Sequence, residues 1–319
     1  MAEERVWVLA DDRAGNVVQV VGVAEALAEP FAVRDIRYDQ RGRWANLLRG
    51  ASLIGVDRAS RAAFQPPWPR LVIGAGRRTA PIARWLKRVS GCRLVQIMDP
   101  GWPGRGDFDL IAQPMHDGGS SAVNVIETLG SCHRVSPSLL ATEGARWAPR
   151  LAHLPRPYLL VVVGGDTKDY AFPPERGREL AKAVGMMHGV MGGSVLLTTS
   201  RRTTPDLGRS VIRGMPSPRH IYEWSEGTDN PYHGFLALAD CVVVTGDSMN
   251  MCSEACATPA PVHIFAPPGL VNRKHARLHQ LLFEKGYARP LDGEVVSFVH
   301  PPLNAAMDVA AEIRRRGLL

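Results

Sequence analysis

The residue types best suited to chemistry in this chain lie in loops that follow short apolar runs of its second half. The first of these loops contains two glycines, an aspartate and a threonine: Gly164, Gly165, Asp166 and Thr167. Paired glycines let a backbone approach a ligand closely, and the amides that follow can face an oxyanion. The loop matches neither G-x-G-x-x-G nor G-x-x-x-x-G-K-[ST], so it is neither the dinucleotide fingerprint nor a P-loop. A tight turn between a strand and a helix is the alternative interpretation.

A second loop pairs two arginines with hydroxyl groups at the end of another apolar run. Its sequence, TTSRRT at residues 198–203, supplies Ser200, Arg201 and Arg202 as candidate phosphate ligands. A guanidinium presents a planar fork of donors to phosphate oxygens, so this loop is suited to a diphosphate. Trp224, farther along the chain, is a candidate for contact with a base. The alternative is a solvated surface turn.

A third loop, VTGDSMNMCSEA at residues 244–255, is the most informative. Its candidate ligand-binding residues are Gly246, Asp247, Ser248, Asn250 and Glu254. The glycine permits a sharp turn, the serine or the asparagine can cap the helix that follows, and the free amides of that helix end attract anions. The glutamate, about one turn into the helix, can accept hydrogen bonds from ribose hydroxyls. The three loops together fit a nucleotide-diphosphate ligand, and a plain capping arrangement is the alternative for the third.

Polar residues also end the apolar runs of the first half, and some of them could act as a general base. The candidates are Asp12, Asp99, His116 and Asp117. A general base must reach the substrate and have a pKa near the working pH. Asp12 is favoured, or His116 acting with Asp117. A turn or capping role is the alternative for each of them.

The elements that position these loops are predicted from the alternation of apolar runs with amphipathic helical patterns. The runs are rich in Val, Ile and Leu without polar alternation, which is typical of parallel strands covered on both faces. The sequence therefore predicts an α/β protein with two doubly wound, Rossmann-like domains. The predicted strands are residues 6–10, 32–36, 71–74, 94–98, 110–112, 123–126, 158–163, 194–199, 220–224, 241–245 and 262–265.

A Pro-rich segment at residues 148–157 separates the two strand patterns. We predict a first domain at residues 1–154, a second domain at residues 155–300, and a C-terminal helix within residues 301–319 that packs back on the first domain. Ligands of doubly wound folds bind outside the carboxyl ends of the strands. A cleft between the two domains is therefore the expected location of the site.

Composition and charge limit the classes of partner. The chain has 319 residues, of which 45% are hydrophobic and 22% charged, so it is neither disordered, collagen-like nor a small disulfide scaffold. Its formal net charge is +7, and residues 34–93 alone carry +11. Such a block attracts nucleic acid, an anionic membrane surface or an anionic substrate. Trp44, Leu47 and Leu48 lie among these arginines and could enter a membrane interface, although an ordinary helix with its apolar face in the core is favoured.

The cysteines and the N-terminus indicate the compartment. The five cysteines are odd in number and form no C-x-x-C pair, which favours reduced core thiols over disulfides or a metal site. The N-terminus has no signal-peptide pattern, and no apolar run approaches the ~20 residues of a spanning helix. The expected location is the cytoplasm, either free or peripheral on the inner face of the cytoplasmic membrane.

Several long motifs resemble a known family. They are DDRAGN (11–16), VIGAGRRTAP (72–81), PMHD (114–117), VVVGGDTKDY (161–170), TTSRRT (198–203), NPYHGFLALAD (230–240) and VTGDSMNMCSEA (244–255). Together they cover nearly the whole chain, which resembles the "elongated mitochondria" family of mitochondrial fission proteins. Plant members of that family are adaptors that recruit a dynamin-like protein, whereas bacterial members have no such division role.

The same family is similar to GT-B glycosyltransferases of the MurG type. This likeness implies that the Gly164–Thr167 turn opens a donor domain, that residues 246–248 hold a nucleotide sugar, and that Glu254 binds the ribose. Related chains carry a glycine after the donor helix, where this chain has ATPAP at residues 257–261, and that difference alters a turn.

The resemblance implies a metal-independent glycosyltransferase without a cofactor. The donor would be a nucleotide-diphosphate sugar and the acceptor a glycan or a lipid-linked molecule, bound by the first domain. Arg201, Arg202 and the helix from Asn250 would stabilise the leaving diphosphate. Asp107 and Asp109 match the D-x-D motif of metal-dependent enzymes, but three residues match often by chance, and the motif is discounted.

Two other functions stay open at this stage. A non-enzymatic adaptor that retains a nucleotide-sugar fold is the second hypothesis. A nucleic-acid-binding protein is the third, but only the charge supports it and no recognition motif is present, so nucleic acid is not expected as a partner.

Overall fold

The computed structural model describes residues 5–292 and 298–319 and contains two parallel sheets of six strands each. The first sheet has the strand order β2-β1-β3-β4-β5-β6. Its strands are β1 (Val6–Ala10), β2 (Phe31–Asp35), β3 (Leu71–Ala75), β4 (Arg93–Ile97), β5 (Leu110–Pro114) and β6 (Val125–Thr128). The helices of the same part of the chain are α1 (Ala14–Leu27), α2 (Asn46–Arg49), α3 (Arg58–Ala62) and α4 (Gly76–Ser90).

The second sheet has the strand order β12-β11-β10-β7-β8-β9. Its strands are β7 (Tyr158–Val162), β8 (Ser194–Thr198), β9 (Arg219–Tyr222), β10 (Cys241–Thr245), β11 (Val262–Phe265) and β12 (Arg289–Pro290). The remaining helices are α5 (Pro137–Leu151), α6 (Pro174–Met191), α7 (Pro205–Arg213), α8 (Tyr232–Leu238), α9 (Met249–Ala255), α10 (Arg273–Glu284) and α11 (Ala305–Arg315). This is the strand order of dinucleotide-binding Rossmann folds, so the predicted α/β class is confirmed.

The predicted strands recur with shifts of one or two residues at their ends because each is an apolar run that the fold buries. In β1, β3, β5, β7, β8 and β10 every residue is buried. Parallel strands covered on both faces have this continuous apolar character. Helices α3, α5, α8 and α10 and strand β12 were not predicted, whereas α2 lies in the segment of Trp44, Leu47 and Leu48, for which a helix was expected.

The Pro-rich segment at residues 148–157, predicted as a break, begins inside a helix and leaves it after Leu151. Helix α5 runs through Pro149 and ends at Leu151. Its buried face is held by Trp147, whose ring meets Phe235 of α8 edge-on at 5.8 Å between centroids. A Cβ on Gly234 would lie 2.2 Å from the Trp147 ring, so the two helices touch at this glycine. Packing against α8 thus extends the helix past a proline near its end.

The chain divides into two compact units. Residues 1–134 with 304–319 form the first unit and residues 135–303 form the second. The contacts therefore place the boundary before α5, which packs on α8, whereas the sequence places it at residue 154. Helix α11 returns to the first unit, where Arg314 Nη2 donates to the carbonyl of Leu27 at 2.8 Å. Within the described residues, no helix has the length and apolarity needed to cross a bilayer.

Candidate functional site

The strand order fixes where a ligand site can form in the second unit. Strands β7 and β10 are neighbours, with β8 on one side of the pair and β11 on the other. Successive strands are added on one side of β7 up to β9 and on its other side from β10 onward, so the strand order reverses at the β7–β10 pair. At such a switch point the loops leave opposite faces of the sheet and open a crevice. The glycine loop follows β7, the arginine loop follows β8 and the Gly246–Glu254 segment follows β10. The fold thus brings the three predicted loops together at the carboxyl ends of the parallel strands.

The amides of the two glycines bond to other loops of the protein. The Gly164 amide donates to Thr245 Oγ1 at 2.8 Å, and the Gly165 amide donates to Asp247 Oδ2 at 3.0 Å. The sequence predicted a close approach of this backbone to a ligand, with the amides after the glycines facing an oxyanion. In this conformation a diphosphate would have to contact other groups, because these two amides connect the β7 loop to the β10 loop.

Asp247 connects all three loops. Its side chain is fully buried, and Oδ2 accepts from Arg202 Nη2 at 2.7 Å as well as from the Gly165 amide. Arg202 Nη1 also donates to the carbonyls of Gly165 and Asp166, at 2.8 and 3.0 Å. Arg202, a predicted phosphate ligand, therefore braces the loops and has its charge matched by Asp247. Asp247 Oδ1 is buried and accepts no hydrogen bond from the described residues. An acceptor of this kind can take a hydrogen bond from a ligand or from water.

The glycines are required by this packing. A Cβ at Gly164 would lie 2.1 Å from Asp247 Oδ2, and one at Gly165 would lie 2.0 Å from the carbonyl oxygen of Arg202. Neither position has room for a side chain without moving a neighbouring loop. Their role is close contact between loops, which differs from the predicted approach to a ligand.

We expect Gly164→Ala to destabilise the second unit by about 1–3 kcal/mol, because the added methyl group overpacks a closed loop junction. Gly185→Ala is the matched control, since no heavy atom lies within 4 Å of a Cβ there and α6 surrounds it. That change should stabilise by about 0.5–1 kcal/mol through helix propensity. Urea unfolding of both variants measures the difference, and effects of the same sign would refute the packing argument.

The remaining hydroxyl and carboxyl groups of the first two loops form local turns. Asp166 Oδ1 accepts from the Phe172 amide at 2.7 Å, and Thr167 Oγ1 accepts from the Tyr170 amide at 3.0 Å. Ser200 Oγ accepts from the Arg202 amide at 3.3 Å. Arg201, in contrast, is exposed and has no ion pair or side-chain hydrogen bond with the described residues. It is the guanidinium of this loop that is available to a ligand.

Helix α9 begins as the sequence predicts but is short. Ser248 caps it by accepting from the Met251 amide at 3.4 Å, and the helix ends at Ala255. The macrodipole of so short a helix gives only weak support to an anion. Asn250 lies in its first turn and is half-buried, and Gly246 donates its amide to the Phe265 carbonyl at 2.8 Å.

Glu254 lies in the last turn of α9 beside a tyrosine that sequence reasoning did not select. Glu254 Oε2 accepts from the Tyr232 hydroxyl at 2.8 Å. Burial raises the pKa of Glu254 to about 7, and the hydrogen bond from Tyr232 opposes that rise. The carboxyl group therefore titrates near neutral pH, which is typical of functional sites. The NPYHGF segment contained the tyrosine, but helix α8, which carries it, was not predicted.

Trp224 lies two residues beyond the end of β9. It is half-buried, and its amide donates to Thr199 Oγ1 at 2.8 Å. This bond ties the segment after β9 to the end of β8. The backbone of Trp224 is thus held next to the arginine loop.

The candidate bases of the first unit do not form one group. Asp12 follows β1 and forms an ion pair with Arg78 Nη1, whereas His116 and Asp117 follow β5. Strands β3 and β4 lie between β1 and β5. At about 4.8 Å per strand the two positions are about 14 Å apart, so they are alternatives and not partners. His116 is buried, Asp117 is half-buried and Asp12 is exposed.

The discounted D-x-D motif has a structural role. Asp107 pairs with Arg84, and Asp109 pairs with Lys87 and Arg93. Its carboxylates connect β5 to the neighbouring α4 and β4. Among the described residues, no three His, Cys, Asp or Glu side chains lie close enough together to hold a metal ion.

Comparison with known proteins identifies the family. Residues 14–317 match the sequence model of the family described as mitochondrial fission ELM1. The chain belongs to this family. It is 28% identical to the Rickettsia prowazekii protein RP120, with 97% of each chain covered. It is 27% identical to the mitochondrial fission protein ELM1 of Arabidopsis thaliana, over 83% of this chain and 68% of that protein.

Solved structures place this ELM1-family chain in the GT-B fold. Acinetobacter baumannii MurG has a TM-score of 0.52 and 11% identity, with 98% of this chain and 92% of that chain covered. The UDP-GlcNAc 2-epimerase of Methanocaldococcus jannaschii, solved in complex with UDP-GlcNAc and UDP, has a TM-score of 0.52 and 10% identity, with 97% and 98% covered. At such low identity the likeness establishes the fold. These fold neighbours are nucleotide-sugar enzymes.

Proposed function

We propose that this protein binds a nucleotide-diphosphate sugar at the carboxyl ends of β7 and β10 in its second unit and transfers the sugar to a glycan or a lipid-linked acceptor. The observation that carries the proposal is the convergence of three polar loops on buried Asp247 at the switch point of the sheet. Crevices at switch points of such sheets are where nucleotides bind. The neighbouring folds, of which one was solved with UDP-GlcNAc, support the same ligand class.

Each group of the site has a proposed role. Arg201 is the exposed cation that pairs with the diphosphate, and Trp224 contacts the base. Glu254, when ionised, accepts hydrogen bonds from ribose hydroxyls. The Oδ1 atom of Asp247 accepts a hydrogen bond from a hydroxyl of the sugar. Arg202 holds Asp247 and the glycine loop in place. The charge on the leaving diphosphate is then stabilised by protein groups, and we propose transfer without a metal ion or cofactor.

The acceptor hydroxyl needs a general base, for which the first unit offers two alternatives. Asp12 is exposed beside Arg78, whereas His116 and Asp117 lie beyond the end of β5. We propose Asp12, or His116 with Asp117, in this role. The pH–rate profiles of Asp12→Asn and His116→Gln, measured with the same acceptor, separate the two.

A thermal-shift screen against UDP-, GDP-, CMP- and dTDP-linked sugars tests the donor site. A donor at 100 times its dissociation constant should stabilise the protein by about 2.7 kcal/mol. Arg201→Ala and Glu254→Gln should remove most of that shift. Arg178→Ala, an exposed arginine of α6 paired with Glu175, is the control and should leave it unchanged. The proposal fails if no nucleotide sugar shifts the transition, or if all three variants respond equally.

A non-enzymatic adaptor is the second candidate, because the Arabidopsis relative is named a mitochondrial fission protein. An adaptor would keep its partner binding after Arg201→Ala and Glu254→Gln, and would release no nucleotide from any donor. Nucleotide release that both substitutions abolish supports the transferase instead.

A further inference from the structure

A cavity of about 900 Å³ opens within the first unit, and its lining residues all belong to that unit. Five arginines line it: Arg13, Arg43, Arg49, Arg77 and Arg78. Two aspartates also line it, but both are already paired, Asp12 with Arg78 and Asp39 with Arg41, which lies outside the lining. Within the described part of the chain, the other four arginines of the lining have no carboxylate within ion-pair distance. The cavity therefore holds excess positive charge.

Arg49 is the buried member of this set. It is 1% exposed, and its Nε and Nη1 atoms donate to the carbonyls of Ile54 and Arg78 at 3.1 and 3.2 Å. Its Nη2 atom and the hydroxyl of Tyr38, another residue of the lining, are buried and have no hydrogen-bond partner among the described residues. Arginine is rarely buried without a paired anion, because desolvating the charge is costly. Burial accordingly lowers the pKa of Arg49.

The N-terminal ends of two helices add to the positive potential at the carboxyl ends of β1 and β3. Helices α1 and α4 follow the adjacent strands β1 and β3, and neither has an acidic residue in its first turn. Neither first turn is capped by a side chain of the described residues. Arg77 and Arg78, which line the cavity, belong to the first turn of α4, and Arg13, which also lines it, is the N-cap residue of α1.

The rim of the cavity is apolar and exposed. Trp44 and Trp102 line the cavity, and Trp102 is 74% exposed. Leu47 and Leu48 of α2 are 58% and 68% exposed. The sequence favoured burial of this apolar face, and that expectation was wrong. Helix α2 has only four residues, and it buries Arg49 instead.

Asn46 holds the start of α2 in place, as Arg49 holds its end. Asn46 Nδ2 donates to the carbonyls of Arg77 and Pro100, at 2.9 and 3.0 Å. The exposed leucines are therefore held beside the arginine cavity and cannot turn inward without breaking both bonds. Tryptophan and leucine beside arginine are the composition of protein surfaces that enter a membrane interface.

We propose that this cavity binds the phosphate group of a phosphorylated lipid, with the tryptophan and leucine side chains of the rim in the apolar part of the bilayer. Arginine forks match phosphate oxygens, and the volume suits a whole headgroup. The apolar rim selects a lipid over a soluble phosphate. The inference does not depend on the proposed transfer reaction, because binding to vesicles and to pyrophosphate is measured without a sugar donor. Asp12, one of the proposed general bases, lies in the lining of the same cavity.

Co-sedimentation with vesicles tests the proposal, using phosphatidylcholine alone against an equal mixture of phosphatidylcholine and phosphatidic acid. The double variant Arg13→Ala/Arg77→Ala should bind the mixed vesicles at least about tenfold more weakly. It should lose affinity for inorganic pyrophosphate to the same degree. Arg58→Ala/Arg88→Ala removes the same charge from exposed positions of the first unit outside the cavity, and it should retain most of the binding.

The rim is tested separately with Leu48→Ser/Trp102→Ser. This variant should bind mixed vesicles about tenfold more weakly but keep its affinity for pyrophosphate. Val123→Ser, at a residue 93% exposed and outside the cavity, is the matched control. Pyrophosphate binding without vesicle binding would overturn the lipid assignment. If Arg58→Ala/Arg88→Ala lost as much vesicle binding as Arg13→Ala/Arg77→Ala, the cavity would be excluded as the site. Equal binding to vesicles of phosphatidylcholine alone and to mixed vesicles would exclude it too.

Discussion

Arg202→Met should lower the free energy of unfolding of the second unit by about 3 kcal/mol, the largest stability effect we expect from a single substitution at this site. The Asp247 carboxylate is fully buried, and Arg202 is its only ion-pair partner among the described residues. Removing one member of a buried pair leaves an uncompensated charge, which typically costs about 3–5 kcal/mol. Because Arg202 is 32% exposed, water reaches part of the pair, and the lower end of that range applies.

The double variant Arg202→Met/Asp247→Asn separates charge from packing. With both charges gone no buried ion is left unpaired, and an asparagine oxygen can still accept from the Gly165 amide. The double variant should therefore be more stable than Arg202→Met alone. Urea unfolding of the wild type, both single variants and the double variant gives the coupling energy. Strictly additive effects would mean that the pair is not coupled and that Arg202 acts only through its bonds to backbone carbonyls.

Donor affinity should rise with pH up to about pH 7 and then level off. Burial raises the pKa of Glu254 to about 7, and only the ionised carboxylate can accept two hydroxyl donors from a ribose. Below its pKa, each pH unit removes about tenfold of the ionised form, and affinity should fall by the same factor. Calorimetric titration at several pH values measures this slope.

Two variants test whether Glu254 is the group that titrates. Glu254→Gln should bind weakly and without the pH dependence. Tyr232→Phe should move the midpoint to higher pH, because the hydrogen bond from Tyr232 lowers the Glu254 pKa. A midpoint that stays in place in Tyr232→Phe, or a slope that survives in Glu254→Gln, would assign the titration to another group.

The same carboxyl group makes stability depend on pH in the absence of ligand. Its pKa is about 7 in the folded chain against 4.5 for an ordinary glutamate. Between these values the folded state binds more protons than the unfolded state, so stability falls as pH rises from about 4.5 to about 7. The loss is at most about 3 kcal/mol. The free energy of unfolding of the wild type minus that of Glu254→Gln should therefore fall as pH rises through that window and stay constant outside it.

The sequence predicted the sheets well because their strands carry the signal in their own residues. Cys241–Thr245 is recovered to the residue as β10, since all five positions are buried between layers. The loop residues were located correctly at the strand ends for the same reason. Helix α5 was missed because Pro149 suggests a break, and only its contact with α8 shows why the helix continues past it.

The roles of individual loop residues were less accessible, because they depend on partners far away in the chain. Gly165 and Asp247 are 82 positions apart, yet their hydrogen bond decides that the glycine amide faces a carboxylate. Arg202 was predicted as a phosphate ligand on its type, which suits a brace equally well. Leu48 was assigned to the core on its hydrophobicity, whereas the short α2 exposes it. The residue type limits which roles a side chain can have, and the tertiary contacts determine which of those roles it has.

The return of α11 to the first unit has a consequence for the order in which the protein acquires its structure during synthesis. The core that contains Val20, Val23 and Leu27 of α1 also contains Val309 and Ile313 of α11. Arg314 and Leu27, which share a hydrogen bond, are 287 residues apart. At roughly 5–20 residues per second, a ribosome needs roughly 15–60 s to make the intervening chain.

The second unit is one continuous stretch of sequence from Val135 to Leu303, so all of its residues are synthesised before α11. We therefore expect the half that is translated later to finish folding earlier. Until then part of the apolar face of α1 has no cover, and the nascent first unit is the part of the chain most exposed to aggregation and to chaperones.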